Sequence, residues 1–463
     1  MPSVDSPTLI VARYLKSNGY TETYEAFIAE AGLPQDAGVV VKGQLDLETL
    51  LDEKKNFDIA VKFEKLGLEN ANTGWKQPAP SNARIIDELP TSSNILSARV
   101  EEFKDQDGNE QPLLLATTAD KRVHLINANN NALQASYATI HDAPALSALK
   151  IGDNTLITSS MSGQLHLSDL SGKCFAKRRD HSKYVVKVAV FEDKLHGSVI
   201  ATAGWDNKVV IYHVDSTDDD LQLNEPSATI PLQTKPEAMV FVRHPETNLP
   251  VLILSRTDSN NIYYYTIETQ PRLLGQQNLA PHSNAWVAFT PSALEICPTD
   301  PTLLAVGTSS IPHMKLLLVR LLFPSWEPEP PRPPPTALRT SLLDDDAPAQ
   351  QETQASQARA ALVIAEREFA AIQIHATTMA PQTPYSTPAV AWRPAGDGVW
   401  VNGDDGAVRG IEASTGKVVS TLRGHEPGSK VRCLWAGHVP GVGEMLVSGG
   451  FDHKLILWTS VPT

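Results

Sequence analysis

The chain repeats one pattern of short strands and turns along most of its length, which limits its possible folds more than any other feature. In the copy at residues 424–458, a Gly-His pair precedes two apolar runs, at 444–448 and 454–458, and the turn Gly-Gly-Phe-Asp-His separates them. A glycine-rich turn that carries Asp supplies the backbone angles that reverse a strand. Residues 181–212 repeat the arrangement, with Thr202 and Asp206 spaced as Ser448 and Asp452 are. One such unit cannot bury its own face, so several copies must pack together.

Weaker copies bring the total to about seven, at a period near forty residues; they lie at 113–126, 156–167, 252–265, 303–319 and 399–411. A period of this size, with about four strands per unit, is typical of a β-propeller. The sequence therefore predicts a mainly β fold, a seven-bladed propeller behind a small α-helical segment. Only five residues follow Trp458, too few for a fourth strand, so we expect residues 83–88 to complete the last blade and close the ring.

The two best-preserved copies carry polar residues at matching positions: His425, Ser448, Asp452 and Trp458 in one, and His181, Thr202, Asp206 and Tyr212 in the other. The first set resembles the tetrad of the WD-repeat propeller family in its seven-bladed form, and the second matches it except that a Tyr replaces the Trp. The resemblance covers roughly residue 80 onwards. It implies a hydrogen-bonded chain inside each blade, which satisfies buried polar groups and fixes the turn. These residues are therefore expected to be structural.

A His, a Ser and an Asp in one repeat also invite a serine-hydrolase interpretation. The sequence has no G-x-S-x-G motif, and the repeat frame explains the same residues. It also has no phosphate-binding glycine loop, no H-E-x-x-H and no carboxylate pair outside the frame. We therefore expect a protein that is not an enzyme and has no catalytic residues, cofactor or metal.

Residues 8–33 have apolar side chains at helical spacing on both sides of Asn18-Gly19, a pair that can end a helix. This hairpin closely resembles the LisH motif, and the matching positions are Ile10, Tyr14, Leu15, Gly19, Tyr20, Thr23 and Phe27. The resemblance implies a homodimer in which two hairpins form a four-helix bundle. A hairpin docked on its own propeller is the alternative. The predicted domains are 1–35 (LisH), 36–82 (helical extension and linker) and 83–463 (propeller).

One segment, at about 324–370, interrupts the repeat frame. It is rich in Pro, then Asp, then Gln and Ala, and it has few residues that could pack. We expect a disordered insertion in which residues 355–369 could form a helix, with a strand at 371–374 resuming the blade. Its proline-rich part is either a flexible loop or a ligand for polyproline-binding domains.

The net charge of -14 argues against a nucleic-acid-binding surface. The three cysteines are widely spaced, which fits a reducing compartment and offers no zinc site, and each stands beside apolar residues and is expected to be buried. The N-terminus lacks the features of a signal peptide, and the longest apolar run is too short to span a membrane. We expect a soluble protein of the cytoplasm or nucleus with no membrane partner.

These features predict a non-catalytic, dimeric scaffold or adaptor subunit of an intracellular multiprotein complex. Proteins would bind at the propeller rim and the channel mouth. The alternative is a substrate-recognition or assembly subunit of a ubiquitin ligase. Many ligase-associated propellers carry W-D-x-R after the third strand, and the matching positions here contain no Arg. The last copy, at 424–458, is expected to hold the ring shut, which leaves binding to the weaker copies, the insertion and the hairpin.

Overall fold

The computed structural model describes residues 7–39, 47, 75, 77–105, 108–193, 197–214, 216–217, 220–221, 223–283, 287–327 and 354–460. The chain divides into two compact units, Met1–Thr73 and Gly74–Thr463. Among the described helices, none combines the length and the apolar composition needed to cross a membrane.

The N-terminal unit contains the helical hairpin that the sequence predicts, with α1 at Pro7–Ser17 and α2 at Thr21–Glu30. Gly19 ends α1 with a φ of 74°. The backbone N–H of Tyr20 donates to the carbonyl oxygen of Leu15 at 3.0 Å, and that of Gly19 donates to Lys16 at 3.2 Å. This pair of bonds satisfies carbonyls that the last turn of a helix leaves free. Apart from Leu47, residues 40–74 of the predicted helical extension and linker at 36–82 lie outside the described residues.

The second unit contains seven four-stranded antiparallel sheets, which we number as blades 1–7. Blade 1 contains β2 (Ile95–Lys104), β3 (Glu110–Thr118), β4 (Val123–Asn127) and β5 (Leu133–Tyr137). Blade 2 contains β6 (Ala145–Ile151), β7 (Thr155–Ser160), β8 (Leu165–Asp169) and β9 (Cys174–Arg178). Blade 3 contains β10 (Val185–Asp193), β11 (Gly197–Gly204), β12 (Lys208–Val214) and β15 (Ala228–Pro231). A small hairpin of β13 (Ser216–Thr217) and β14 (Asp220–Leu221) precedes β15.

Blade 4 contains β16 (Pro236–Arg243), β17 (Pro250–Arg256), β18 (Asn261–Thr266) and β19 (Leu273–Asn278), and blade 5 contains β20 (Thr290–Cys297), β21 (Asp300–Ser309), β22 (His313–Arg320) and β23 (Ile372–Pro381). Blade 6 contains β24 (Val390–Trp392), β25 (Gly398–Asn402), β26 (Ala407–Glu412) and β27 (Val418–Arg423). Blade 7 contains β28 (Val431–Val439), β29 (Gly443–Gly450), β30 (Leu455–Thr459) and β1 (Asn82–Ile85). The predicted seven-bladed propeller is confirmed.

The ring closes where the sequence predicts. Strand β1 pairs with β30 in antiparallel register, from Asn82 opposite Thr459 to Ile85 opposite Ile456. The first strand of the propeller unit is therefore the outermost strand of the last blade. This pairing covers an edge of β30 that would otherwise be left open.

The hydrophobic core lies between the blades and forms seven clusters, one at each interface between neighbours. Strand β11 illustrates the pattern, since Val199 and Ala201 pack towards blade 4 and Ile200 packs towards blade 2. Successive side chains of a strand point to opposite faces of its sheet. Because both faces are buried, the middle strands appear in the sequence as nearly continuous apolar runs.

The first strand of each blade lies innermost, and these strands contact one another in order around a central channel. In six of them the pairing register shifts at the equivalent place, which leaves one residue of each strand without a partner: Leu96, Leu146, Val186, Glu237, Ser292 and Arg432. Such a bulge bends the strand and re-aims side chains. The six residues mark one level of the channel, near the start of each inner strand.

The propeller unit starts before the predicted boundary at residue 83. Trp75, expected in a linker, packs edge-on against Trp400 with ring centroids 5.0 Å apart. It also lies under the fully buried Arg393, whose guanidinium is 4.2 Å from the ring centroid. A Cβ atom added at Gly398 or Gly410 would overlap the Trp75 ring. The linker boundary is corrected because these contacts hold the segment in the interface of blades 6 and 7.

Arg393 joins three parts of the chain around this tryptophan. Its Nε and Nη2 donate to the Glu444 carboxylate at 2.8 and 2.7 Å, and its Nη1 donates to Asp397 at 3.2 Å. Nη2 also donates to the carbonyl oxygen of Gln77 at 3.1 Å. We call Trp75, Arg393, Asp397 and Glu444 the Arg393 cluster. Two carboxylates and a backbone carbonyl satisfy a charge that would be very costly to bury alone.

The insertion enters blade 5 between β22 and β23, and residues 328–353 lie outside the described part of the chain. Its last third forms α3 (Gln354–Ala371), so the disorder expected up to residue 370 is wrong there. The possible helix at 355–369 is confirmed, in a stretch rich in the helix formers Ala, Glu and Arg. The Glu368 carboxylate accepts a hydrogen bond from the Asn278 N–H at 2.7 Å.

One cysteine differs from expectation. Cys297 is buried and Cys433 half-buried, but Cys174 is exposed. It lies on β9, the outermost strand of blade 2, in which no residue is buried.

Replacing Arg393 by Ala should destabilise the propeller by about 3–5 kcal/mol, because the largely buried carboxylate of Glu444 would lose the guanidinium that pairs with it. Urea and thermal unfolding of the full chain would measure the change. Arg423→Ala removes an exposed arginine from blade 6 and should stay within about 0.5 kcal/mol of the unmodified protein. Equal losses in the two variants would contradict a special role for the Arg393 cluster.

Candidate functional site

The structure brings together the four polar residues predicted in blade 7. His425 Nδ1 lies 2.9 Å from Asp452 Oδ1, and His425 Nε2 lies 2.9 Å from Ser448 Oγ. Trp458 Nε1 donates to the same Ser448 Oγ at 2.8 Å. Since the indole can only donate, the consistent order of donors runs from Trp458 to Ser448, then to His425 and finally to the Asp452 carboxylate.

This order resembles the hydrogen bonds of a serine-hydrolase triad, but the surroundings differ. Ser448 is fully buried, and one of its oxygen lone pairs accepts from the indole. The side chains of His425 and Asp452 are also fully buried. A nucleophile must reach its substrate, so this geometry supports a structural network rather than a catalytic one.

The pKa directions agree with that interpretation. Burial lowers the pKa of His425, although the Asp452 carboxylate acts in the opposite direction. Burial alone would raise the pKa of Asp452, but hydrogen bonds from His425 and the Glu426 N–H hold it below the ordinary value. A neutral imidazole therefore faces an ionised carboxylate.

Blade 3 also brings its four predicted residues together. His181 Nδ1 lies 2.8 Å from Asp206 Oδ1, and Nε2 lies 2.9 Å from Thr202 Oγ1. The Tyr212 hydroxyl donates to Asp180 at 3.0 Å, and a hydrogen bond with Thr202 is among the causes that act on the pKa of Tyr212. Asp180 also accepts from the Arg178 guanidinium at 2.8 Å. Tyr212, which occupies the position of the tetrad Trp, thus links blade 3 to the residues just before its first strand.

Blade 2 contains a partial network that the sequence interpretation missed. His141 Nε2 lies 2.8 Å from Thr158 Oγ1, and the His141 ring stacks on His166 with centroids 4.0 Å apart. Burial is the main cause that lowers the pKa of His141, to about 3. The sequence does contain a signal for this network, because His141 stands forty residues before His181 and so matches the repeat period.

The networks of blades 3 and 7 support exposed aromatic residues. Trp205 and Phe451 each precede the network Asp, and each side chain is 40% exposed. The Trp205 N–H donates to the Tyr184 carbonyl oxygen at 2.9 Å, as the Phe451 N–H does to that of Lys430. We call the surface formed by these turns and by the loops entering the inner strands the network face. The bulges of the inner strands lie beneath it.

Charged side chains line the channel at the level of the bulges. Arg432 is the unpaired bulge residue of blade 7, Lys187 follows the bulge in blade 3, and Glu237 is the bulge residue of blade 4. Burial lowers the pKa of both Lys187 and Arg432 and raises that of Glu237. All three side chains keep part of their surface accessible, as groups that line a channel should.

Another charged residue, Glu295, lies on the inner strand of blade 5, further along the strand than the bulge residue Ser292. Burial raises the pKa of Glu295 to about 7, although the Trp392 N–H and Arg99 act against it. That N–H donates to Glu295 Oε2 at 2.9 Å. In the part of the chain that the structure describes, no three His, Cys, Asp or Glu side chains gather in a way that could hold a metal ion.

The structure also locates the seven residues predicted for dimerisation. None of them is buried within the chain: Ile10, Tyr14, Leu15 and Phe27 are half-buried, and Gly19, Tyr20 and Thr23 are exposed. The hairpin buries Ala12 and Ile28 instead. Apolar surface is therefore left open on a pair of short helices, and the role of these residues in dimerisation remains a prediction.

A LisH hairpin followed by a seven-bladed propeller defines the class of this protein, and the WD-repeat tetrad is complete in one described blade. The comparison with known families specifies it further. The UCP007778 beta-propeller domain matches residues 67–459, and the LisH domain of the same family matches residues 8–36. The chain belongs to the UCP007778 family. No curated protein matches its sequence.

Replacing Asp452 by Ala should destabilise the protein by about 1–3 kcal/mol, because the buried His425 loses its acceptor and the Glu426 N–H loses its cap. Thermal unfolding measures the effect. Glu426→Ala, which removes an exposed neighbouring carboxylate, should change stability by less than about 0.5 kcal/mol. A loss of partner binding at unchanged melting temperature in Asp452→Ala would mean that this turn is a contact surface only.

Glu295 should make stability depend on pH. The folded protein holds its proton up to about pH 7, whereas the ordinary value is 4.5. The native state then binds more protons between these values, so stability should fall as pH rises from about 5 to 8, by on the order of 1–3 kcal/mol. Melting temperatures of the unmodified protein and Glu295→Gln across this range should converge at low pH and favour the variant at high pH. Parallel curves would contradict the assignment. Glu426→Gln controls for net charge.

Proposed function

We propose that this protein is a non-catalytic, homodimeric scaffold or adaptor subunit of a multiprotein complex in the cytoplasm or nucleus. The observation that carries the proposal is the combination of two surfaces in one chain. The hairpin leaves its predicted dimerisation residues unburied, and the propeller holds exposed aromatics on turns fixed by buried networks. The fully buried Ser448 supports the non-catalytic part.

The physical advantage of this combination is valency. Two propellers joined through their hairpins would bind a repeated or oligomeric partner twice, and the second binding event is intramolecular. Overall affinity can then exceed that of one propeller by about 10²–10⁴ without any new contact. The wide ring of loops provides the area that a protein interface needs.

Light scattering of the full chain at micromolar concentration should give twice the monomer mass, and deletion of residues 1–35 should give the monomer. The variant Tyr20→Ala, which removes an exposed aromatic from the hairpin, should weaken the dimer without unfolding the propeller. Tyr385→Ala removes an exposed aromatic from the propeller unit and should leave the dimer intact. A monomeric full-length protein would contradict the proposal.

Co-purification with tagged full-length protein and the deletion variant tests the scaffold role. We expect proteins that bind both forms, with weaker recovery by the monomeric deletion variant. Recovery of cullin-type ligase subunits as stoichiometric partners would favour the ubiquitin-ligase alternative. Turnover of a substrate by the purified chain would contradict the non-catalytic assignment.

A further inference from the structure

Blades 3 and 7 share an arrangement that their sequence similarity alone does not require. Each presents an exposed aromatic, Trp205 or Phe451, just before the Asp of its buried network. Each also places a cation on its inner strand next to or within the bulge, Lys187 in blade 3 and Arg432 in blade 7. Two blades separate them in one direction around the ring and three in the other. The two arrangements therefore face each other across the channel.

The two cations lack counter-charges close by. Among the described residues, neither Lys187 nor Arg432 forms an ion pair with a carboxylate within 4.0 Å. They act on each other unfavourably, since the positive charge of Arg432 lowers the pKa of Lys187. Glu237 raises the pKa of Lys187 and so offsets part of this effect, but burial raises the pKa of Glu237 and lowers that of Lys187, which favours the neutral form of each. An anion bound beside Lys187 would raise its pKa again and favour the charged ammonium. Burying like charges without partners is costly, and an anion at this place would relieve the cost.

The aromatic surface extends from blade 3 towards blade 4. Trp205 stacks on Tyr184 with ring centroids 5.3 Å apart, and Lys235 Nζ lies 4.9 Å from the centroid of the Trp205 ring. A cavity of about 430 Å³ adjoins this position and is lined by polar loop residues, among them Asn207 and Asp258. Exposed aromatics beside a polar recess are typical of binding anchors in protein interfaces.

We propose that the network face binds an extended acidic peptide segment that crosses the channel mouth. An Asp or Glu side chain near the middle of the segment would be held by Lys187 and Arg432, and apolar side chains on either side would pack on Trp205 and Phe451. The proposal rests on the protein-binding role proposed above and specifies its face and its partner chemistry.

Charge complementarity favours this occupant. The whole chain carries a net charge of -14, so a channel mouth with two unpaired cations is a local exception. Asp404 and Glu426 lie on the same face, near blade 7, and each is paired with a lysine: Lys430 lies 3.0 Å from Asp404, and Lys454 lies 3.7 Å from Glu426. These pairs leave little net charge beside the channel. A continuous polyanion such as a nucleic-acid backbone would meet the net negative charge of the rest of the chain, whereas a single acidic side chain entering the channel would not.

The surface lies on the two blades with the best-preserved networks. The sequence predicts binding at the weaker copies, the insertion and the hairpin instead. Here the buried network has a second effect, because it fixes the turn on which each aromatic stands. A rigid anchor loses less conformational entropy on binding than a mobile one.

Selection from a phage-displayed library of random peptides tests the proposal with the full-length protein as bait. We expect enrichment of Asp and Glu over the starting library. Selected peptides should bind the double variant Lys187→Gln/Arg432→Gln at least tenfold more weakly in fluorescence polarisation. Replacing the acidic residue of a selected peptide by Asn or Gln should cause a similar loss.

The matched control is Lys173→Gln/Lys417→Gln, which removes the same charge from exposed loops between third and fourth strands. It should bind the selected peptides like the unmodified protein. The channel variant should also keep or raise the melting temperature, because it removes two repelling cations. This excludes unfolding as the cause of lost binding.

Other outcomes separate this proposal from the proposed function. Peptides without acidic enrichment that still require Trp205 and Phe451, tested as Trp205→Ala and Phe451→Ala, would overturn the anionic chemistry and leave the scaffold role intact. Peptides that bind both charge variants equally well would overturn the site itself. Acidic peptides that bind as expected to a monomeric chain without co-purifying partners would contradict the scaffold proposal alone.

Discussion

The pairing of β1 with β30 is the contact on which the rest of this structure depends. Each blade buries its two faces against its neighbours, so an open ring would expose the facing surfaces of two blades at once. Four residues at the start of the propeller, Asn82–Ile85, supply the strand that prevents this. The Arg393 cluster holds the segment before β1 in the neighbouring interface, between blades 6 and 7. Closure is therefore achieved by one short strand, and a buried charge network holds the segment before it.

Most of the fold could be predicted because its signals are local. The turn from Gly449 to His453 and the spacing from Ser448 to Asp452 lie within one repeat, and repetition multiplies them. The Gly19 helix end is local as well. The closing strand predicted at 83–88 corresponds to β1, whose pairing with β30 the structure shows.

The features that could not be predicted depend on distant residues or on surface geometry. Trp75 looked like part of a linker because its partners, Arg393 and Trp400, stand more than three hundred residues later. The tyrosine that replaces the tetrad tryptophan also donates to Asp180, an acceptor outside the repeat pattern that the spacing of the tetrad does not predict. The exposure of Trp205 and the channel position of Arg432 depend on bulges and loop directions, which apolar patterning does not encode.

The order of these elements along the chain has a mechanical consequence. The LisH hairpin precedes Trp75, and Trp75 precedes the closing strand. We expect a pulling force between a tethered hairpin and a bound propeller to act first on the Trp75–Arg393 contact and only afterwards on the β1–β30 pairing. The Trp75–Arg393 contact would then protect the β1–β30 pairing from force transmitted through the hairpin.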